Sequence, residues 1–122
     1  VHAVNVAQFI IRAIDNREAS IGEVFNVVSE QAITLRGYAE SVFRWFGKEP
    51  VLSFLPFEEW LKTIEEGEYA RNSEGHVVRS SSHSIEKAKF RLGYQPRYSS
   101  LEAIHESVHA LIASGQVEKP KS

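Results

Sequence analysis

Apolar residues recur every three or four positions in several stretches of the chain, the spacing of an amphipathic helix. The clearest stretch runs from Leu35 to Phe46, where successive apolar positions are separated by alternating steps of three and one. Four other stretches show the same periodicity over a shorter length. The pattern predicts about five helices, over residues 6–15, 35–46, 57–64, 85–92 and 101–112.

Two short segments have the composition of β-strands instead. Residues 23–28 read Glu-Val-Phe-Asn-Val-Val and residues 51–55 read Val-Leu-Ser-Phe-Leu. Both are rich in β-branched and aromatic residues and are too short to be helices of their own. We therefore predict a small α/β domain of about five helices with two or three short strands.

Polar residues at the predicted helix starts have side-chain oxygens that can accept a main-chain N–H. These candidate caps are Asn5 (with Gln8), Thr34, Ser84 and Ser99 (with Glu102). Glycines stand where helices are expected to end, because glycine adopts the left-handed conformation of a C-terminal cap most readily. They are Gly47, Gly67 and Gly93.

The segment from residue 68 to residue 83 has little apolar content and several turn-forming residues, so we predict a long exposed loop. Loops of this length in compact domains are usually functional or disordered. Arg71 and Arg79, with His76 and His83, could gather around a phosphate, since a planar guanidinium suits that anion. Composition alone favours an ordinary solvated surface over such an anion site.

Composition and charge exclude several classes of protein. The 122 residues include 14 basic and 16 acidic side chains, giving a net charge of −2, so we expect no nucleic-acid partner. There is no cysteine, hence no disulfide and no thiolate metal site. No apolar stretch approaches the roughly 20 residues of a membrane span, and no export signal opens the chain. A reducing cytoplasm is the default expectation.

The sequence opens with Val1 and contains no methionine. It therefore differs from an unprocessed translation product, and we expect a fragment or a cleaved product. We expect one folded unit over residues 1–115, followed by a flexible tail over residues 116–122.

Residues His105, Glu106 and His109 match the H-E-x-x-H pattern of zinc proteases, in which two histidines one helical turn apart bind the metal. Only three letters of that pattern are fixed, and a catalytic zinc needs a third protein ligand. The longer form of the motif would require glycine and histidine where this chain has Ile112 and Gly115. We therefore interpret the match as coincidental and predict no metal site.

Signatures of dinucleotide binding and of common catalytic centres are missing from the sequence. The seven glycines are too far apart for a G-x-G-x-x-G turn or a P-loop. No tyrosine is followed four residues later by lysine, and no G-x-S-x-G segment is present. We predict no catalytic residue and no cofactor-binding residue in this chain.

Five segments, taken in order, nevertheless resemble a known family. They are Val1-His2-x-x-Asn5-Val6-Ala7, Gly22-Glu23-Val24-Phe25-Asn26-Val27, Thr34-Leu35, Lys87-Ala88-x-x-x-Leu92-Gly93-Tyr94-x-Pro96 and Ser100-Leu101-x-x-Ile104. Together they are similar to the carboxy-terminal part of extended short-chain dehydrogenase/reductases, the NAD-dependent epimerase/dehydratase enzymes. The family commonly has aspartate at the positions of Asn5 and Ser84.

This resemblance implies that the chain is the substrate-binding portion of an enzyme acting on nucleotide sugars, a fragment of a Rossmann-type protein without its nucleotide-binding core. NAD(P) and the catalytic tyrosine and lysine would belong to the other portion of the intact enzyme. An arginine near the position of Arg79 often contacts the substrate diphosphate in that family, with His76 and Arg71 as weaker candidates here.

Two expectations accompany this interpretation. Surfaces that would pack on the other portion of the enzyme should be apolar and exposed here, which favours a homo-oligomer. The alternative function is a non-enzymatic helical module that binds a partner protein through its aromatic faces.

Overall fold

A computed structural model describes residues 1–64, 71–72, 74–79 and 82–120, without the side chains of His76 and Val77. In this part of the chain the secondary structure is helical. The helices are α1 (Ala3–Asp15), α2 (Arg17–Ser20), α3 (Leu35–Trp45), α4 (Phe57–Leu61), α5 (Glu74–Val78), α6 (Glu86–Leu92) and α7 (Ser100–Ala113).

The predicted α/β fold is wrong, because the described residues contain no β-strand. Segments 23–28 and 51–55, predicted as strands, form no ladder with any described segment. Side chains of α6 hold the first segment instead: the Lys87 ammonium donates to the Val24 carbonyl oxygen at 2.8 Å. A strand needs a second strand for its main-chain hydrogen bonds, and β-branched composition alone does not supply one. The chain is therefore not an α/β fragment of Rossmann type.

Helix α1 begins earlier than predicted, and its cap is different. The His2 imidazole Nδ1 accepts the Val4 main-chain N–H at 3.1 Å and caps the helix. Asn5, predicted as the cap, lies inside the helix with its side chain fully buried. The local capping pattern was misleading because the Asn5 amide bonds to a distant part of the chain.

Helices α3 and α7 have the predicted N-terminal caps. Thr34 Oγ1 accepts the Gly37 N–H at 3.0 Å at the start of α3. Ser99 and Glu102 form the predicted reciprocal capping box at the start of α7. Gly47 and Gly93 follow α3 and α6 with positive φ, as a glycine ending a helix does.

The remaining helices differ in length from the prediction. Helix α4 ends at Leu61, short of the predicted residue 64. The N-cap of α6 is Ile85 and not the predicted Ser84, although Ser84 Oγ accepts the Glu86 N–H at 3.2 Å. Helices α2 and α5 were not predicted. Helix α5 lies within the predicted loop 68–83, so that prediction is wrong for residues 74–78. Gly67 lies outside the described residues.

The core forms where α1 and α2 pack against α6, while α3 packs separately against α7. Ile85, Ala88 and Tyr94 are buried at its centre. The Phe9 ring of α1 meets the Tyr94 ring edge-on, with centroids 5.6 Å apart. Phe25 and two valines of the extended segment cover the other side of this cluster, so segment 23–28 contributes to the core without being a strand.

Helix α1 is apolar on two opposite faces. One face places Phe9 against the core. The other, called here the outer face of α1, is exposed and consists of Val4, Ala7, Ile10, Ile11 and Ile14. Large apolar side chains of this face are uncovered: Ile11 is 57% exposed and Ile14 is 70% exposed. No helix of the described residues is long and apolar enough to span a bilayer.

Candidate functional site

The buried side chain of Asn5 joins α1 to the turn that precedes α7. Its Nδ2 donates to the Tyr98 carbonyl oxygen at 2.7 Å. Its Oδ1 accepts the main-chain N–H groups of Arg97 and Tyr98 at 2.9 and 3.1 Å. Because three main-chain groups are satisfied by one amide, the turn is fixed relative to α1.

His2 makes a second connection beside it. The imidazole is stacked on the Tyr98 ring with centroids 4.0 Å apart, and its Nε2 lies 2.8 Å from a Glu106 carboxylate oxygen. Together, Asn5 and His2 fix the start of α7, including Ser100, against the start of α1.

A cavity of about 270 Å³ opens next to this junction. Its polar walls come from three parts of the chain: Ser29 and Gln31, Ser82 and His83, and Ser100. Hydroxyl, amide and imidazole groups can both donate and accept hydrogen bonds, which is the combination that a polyhydroxylated ligand requires. Of these cavity residues, His83 was named from the sequence, as a possible neighbour of a phosphate. The others were missed because the chain segments that form the cavity are far apart.

Ser29, in this cavity wall, has a hydroxyl that lacks a hydrogen-bond partner among the described residues. Its Oγ is buried. An unpaired buried hydroxyl is costly, so such groups in folded proteins call for an explanation. Because this oxygen is not accessible to solvent, the residue lines the cavity without presenting its hydroxyl there.

The three residues predicted to bind an anion have different surroundings. The Arg71 guanidinium is engaged by both Glu58 carboxylate oxygens at 3.2 Å. Hydrogen bonding to Glu58 raises the pKa of Arg71 above its usual value, and its charge is already neutralised. Arg79 is exposed, and no ion pair is found for it among the described residues. The side chain of His76 lies outside the described residues.

The H-E-x-x-H residues do not form one centre. His105 and His109 lie one turn apart on α7, with their Nε2 atoms 3.0 Å apart. Glu106 points away from them, to His2. Where the structure describes the chain, no three histidine or acidic side chains lie close enough together to hold a metal ion. The arrangement required for a catalytic zinc is thus not formed by these residues.

The glycines with positive φ do not form a dinucleotide-binding turn among the described residues. Gly22, Gly47, Gly93 and Gly115 each follow the end of a helix. A dinucleotide-binding turn instead places glycines between a strand and the start of a helix.

A second concave surface is apolar. It has a volume of about 410 Å³ and is lined by Leu35, Phe54, Leu55, Phe57 and Trp60. The Phe57 and Trp60 rings of α4 lie 5.4 Å apart along it. We call this surface the α4 groove.

Comparisons with protein-family models, curated proteins and solved structures found no match to this chain. The functional interpretation therefore depends on the residues and on the geometry described above.

Proposed function

We propose that this chain is the substrate-binding portion of an NAD(P)-dependent epimerase or dehydratase that acts on nucleotide sugars. The catalytic residues and the cofactor would be supplied by a different stretch of polypeptide. Alone, the chain would bind the nucleotide sugar without converting it. We place it in the cytoplasm, as the default compartment for a chain without cysteine.

The cavity beside the Asn5 junction is the observation that carries this proposal. It is lined by polar residues from three segments, among them Gln31, His83 and Ser100. Its volume of about 270 Å³ lies just below the usual range for whole ligands. It suits one sugar ring, with the rest of the nucleotide outside.

Arg79 is the residue we propose for the diphosphate. His83 is the sole ionisable side chain among the cavity residues named above, so the phosphate charge needs another cation. Arg79 lies three positions before Ser82 and has no described carboxylate partner. Arg71 is the weaker candidate because Glu58 already occupies its guanidinium.

The test is an NMR titration with uridine diphosphate glucose to millimolar concentration, following the amides of residues 28–32 and 82–83. We expect saturable shifts there, and at least tenfold weaker binding for Arg79→Ala. Arg71→Ala is the matched control, since it removes the same side chain from a position whose charge is paired; its affinity should stay within about twofold.

Parallel titrations with uridine diphosphate and with glucose separate the two parts of the site. Uridine diphosphate should bind more weakly to Arg79→Ala, whereas glucose should bind more weakly to Gln31→Ala, which removes an exposed amide of the cavity lining. If no amide around the cavity shifts with any of the three compounds, the proposal is wrong.

The α4 groove favours one alternative function, a helical module that binds an apolar segment of a partner protein. Trp60 is 37% exposed and Phe54 is 75% exposed there. Leaving aromatic surface in water is unfavourable, and such patches often mark a binding site. An unchanged cavity in the NMR titration would favour this alternative.

We also propose that the chain self-associates through the outer face of α1. The apolar residues Val4, Ala7, Ile11 and Ile14 follow steps of three and four, the spacing of a helix-pairing seam. Ile10 and Ile21, which line a depression at the α1–α2 corner, extend this apolar surface. They are 50% and 64% exposed, so a second copy could cover them.

The order of large and small residues favours an antiparallel pair about a two-fold axis. In that arrangement Val4 faces Ile14 of the partner subunit, and Ala7 faces Ile11 of the partner subunit. Each contact sets a larger side chain against a smaller one, and the symmetry repeats it.

Light scattering tests this pairing. We expect a mass of twice 13.8 kDa at high concentration for the unmodified chain, and 13.8 kDa for Ile11→Glu. Val51→Glu is the control, because Val51 is 82% exposed and lies away from α1 in the sequence. A monomer at every concentration, or equal dissociation by both variants, would overturn this assembly.

A further inference from the structure

Two imidazole rings on α7 already lie at the distance that one metal ion would impose. The Nε2 atoms of His105 and His109 are 3.0 Å apart. Their ring centroids are 4.3 Å apart, closer than a head-on alignment of the nitrogens would allow, so the ring axes are inclined to each other. Inclined rings can direct both Nε2 lone pairs to one point beside the pair.

The distance also sets the angle that the two nitrogens would make at an ion bound by both. With metal–nitrogen bonds of about 2.0–2.1 Å, two nitrogens 3.0 Å apart subtend about 95° at the metal. A tetrahedral ion such as zinc prefers about 109°. Neighbouring positions of a square-planar or tetragonal ion are near 90°, and imidazole nitrogen suits Cu(II) and Ni(II) in that geometry.

The carboxylates of α7 near the pair are occupied elsewhere. Glu102 accepts the Ser99 N–H in the capping box, and Glu106 bonds to His2. Among the described residues we therefore assign the two imidazole nitrogens as the protein ligands, with water in the remaining positions. Such a donor set favours Cu(II) over the harder cations.

We propose that His105 and His109 form a two-ligand site for a square-planar divalent ion, with Cu(II) preferred to Ni(II) and Ni(II) to Zn(II). The site goes beyond the proposed substrate cavity and does not depend on it. In the unliganded pair one Nε2–H donates to the other Nε2. Binding requires both rings to be neutral with their protons on Nδ1, so that both Nε2 lone pairs reach the metal.

Trp45 of α3 provides the local readout. Its ring lies 4.7 Å from the His105 ring, so paramagnetic Cu(II) at the pair would quench Trp45 fluorescence. The chain has two tryptophans, and Trp60→Phe leaves Trp45 as the single emitter. In that background we expect saturable quenching by Cu(II) at micromolar concentration and an electron paramagnetic resonance spectrum showing nitrogen ligands.

His109→Ala is the decisive variant, because this substitution removes one ligand and leaves the Trp45–His105 contact in place. We expect its Cu(II) affinity, read at Trp45, to fall at least tenfold. His83→Ala is the matched control and should quench like the parent. The proposal is overturned if His109→Ala is quenched with unchanged affinity, or if Zn(II), followed by competition with Cu(II), binds more tightly.

Circular dichroism at each endpoint confirms that the variants keep their helices. Binding of Cu(II) at other places, including His2, would appear equally in the parent and in His109→Ala. The difference between the two titrations therefore reports the pair alone, and superimposable titration curves would contradict the proposal.

Discussion

The side chain of Asn5 completes the main-chain hydrogen bonding of Tyr98. The amide donates to the Tyr98 carbonyl oxygen at 2.7 Å and accepts its N–H at 3.1 Å. The two residues are 93 positions apart in the sequence. A polar residue at this buried position is therefore a structural connector, and it holds the start of α7 where the cavity is formed.

We expect Asn5→Ala to lower the free energy of unfolding by about 2–4 kcal/mol, since three buried main-chain groups lose their partner. Urea unfolding followed by circular dichroism measures this change. Asn16→Ala is the control: Asn16 bonds to the Arg12 carbonyl at an exposed helix end, and its loss should cost less than about 1 kcal/mol. Equal losses for the two variants would contradict the structural role of Asn5.

Removing the Tyr94 hydroxyl should, in contrast to removing the Asn5 amide, not lower the free energy of unfolding. Its ring is fully buried, and its hydroxyl has no hydrogen-bond partner among the described residues. Tyr94→Phe should therefore leave stability unchanged or increase it by about 1 kcal/mol. A clear destabilisation would show that the hydroxyl has a partner.

The same residue predicts a pH dependence. Burial raises the pKa of Tyr94 above its usual value, because the charged phenolate is disfavoured in the core. The neutral buried phenol therefore contributes its full share of the folding free energy below a pH of about 10, the pKa that tyrosine has in the unfolded chain. That share is lost as the pH rises through the higher pKa of the folded state. Tyr94→Phe should lose less stability than the parent between pH 9 and pH 11, measured by thermal unfolding.

Two neighbouring residues of α6 test the position of the core. Leu92 is 2% exposed and Phe90 is 92% exposed. Leu92→Ala should cost about 2–4 kcal/mol, the range for removing a buried leucine side chain. Phe90→Ala should change stability by less than about 0.5 kcal/mol. If the larger loss follows Phe90→Ala, α6 faces the other way.

The capping box of α7 predicts a moderate effect. Ser99→Ala removes the oxygen that accepts the Glu102 N–H, which should cost about 1 kcal/mol. Ser107→Ala removes a hydroxyl that bonds only within the helix, to the Ala103 carbonyl, and should be nearly neutral. Thermal unfolding of the two variants measures the difference, and a neutral Ser99→Ala would show that the cap contributes nothing.

The helices predicted correctly are those whose signals are local. Thr34 and Ser99 each sit three residues before their hydrogen-bond partner, so the cap can be read from a few consecutive letters. The same reasoning failed at Asn5, because a tertiary contact used the amide that the local pattern assigned to a cap. Local sequence cannot show which of two partners a polar side chain takes.

The strand predictions failed for a different physical reason. Composition reports that segment 23–28 prefers an extended main chain, but pairing depends on another segment being alongside. Val24 is 83% exposed, and its carbonyl is bound by Lys87 rather than by a second strand. The family resemblance was based partly on the same residues, so it did not identify a second strand with which this segment could pair.

Prediction of the candidate site was limited by distance along the chain. The cavity brings residues 28–31, 82–83 and 100 together, and no spacing rule connects those positions. Arg71 was named as a candidate from its charge alone. Its ion pair with Glu58, thirteen positions earlier, depends on how α4 lies beside residue 71.

The bond between Asn5 and Tyr98 also sets an order of events during synthesis and folding. Closing a loop of about 90 residues costs roughly 4 kcal/mol of chain entropy, so this contact gains nothing until the helices between its ends have shortened the loop. We expect the Asn5 side-chain amide to remain hydrated while most of the polypeptide is synthesised. The sugar-sized cavity would then be among the last features to take shape.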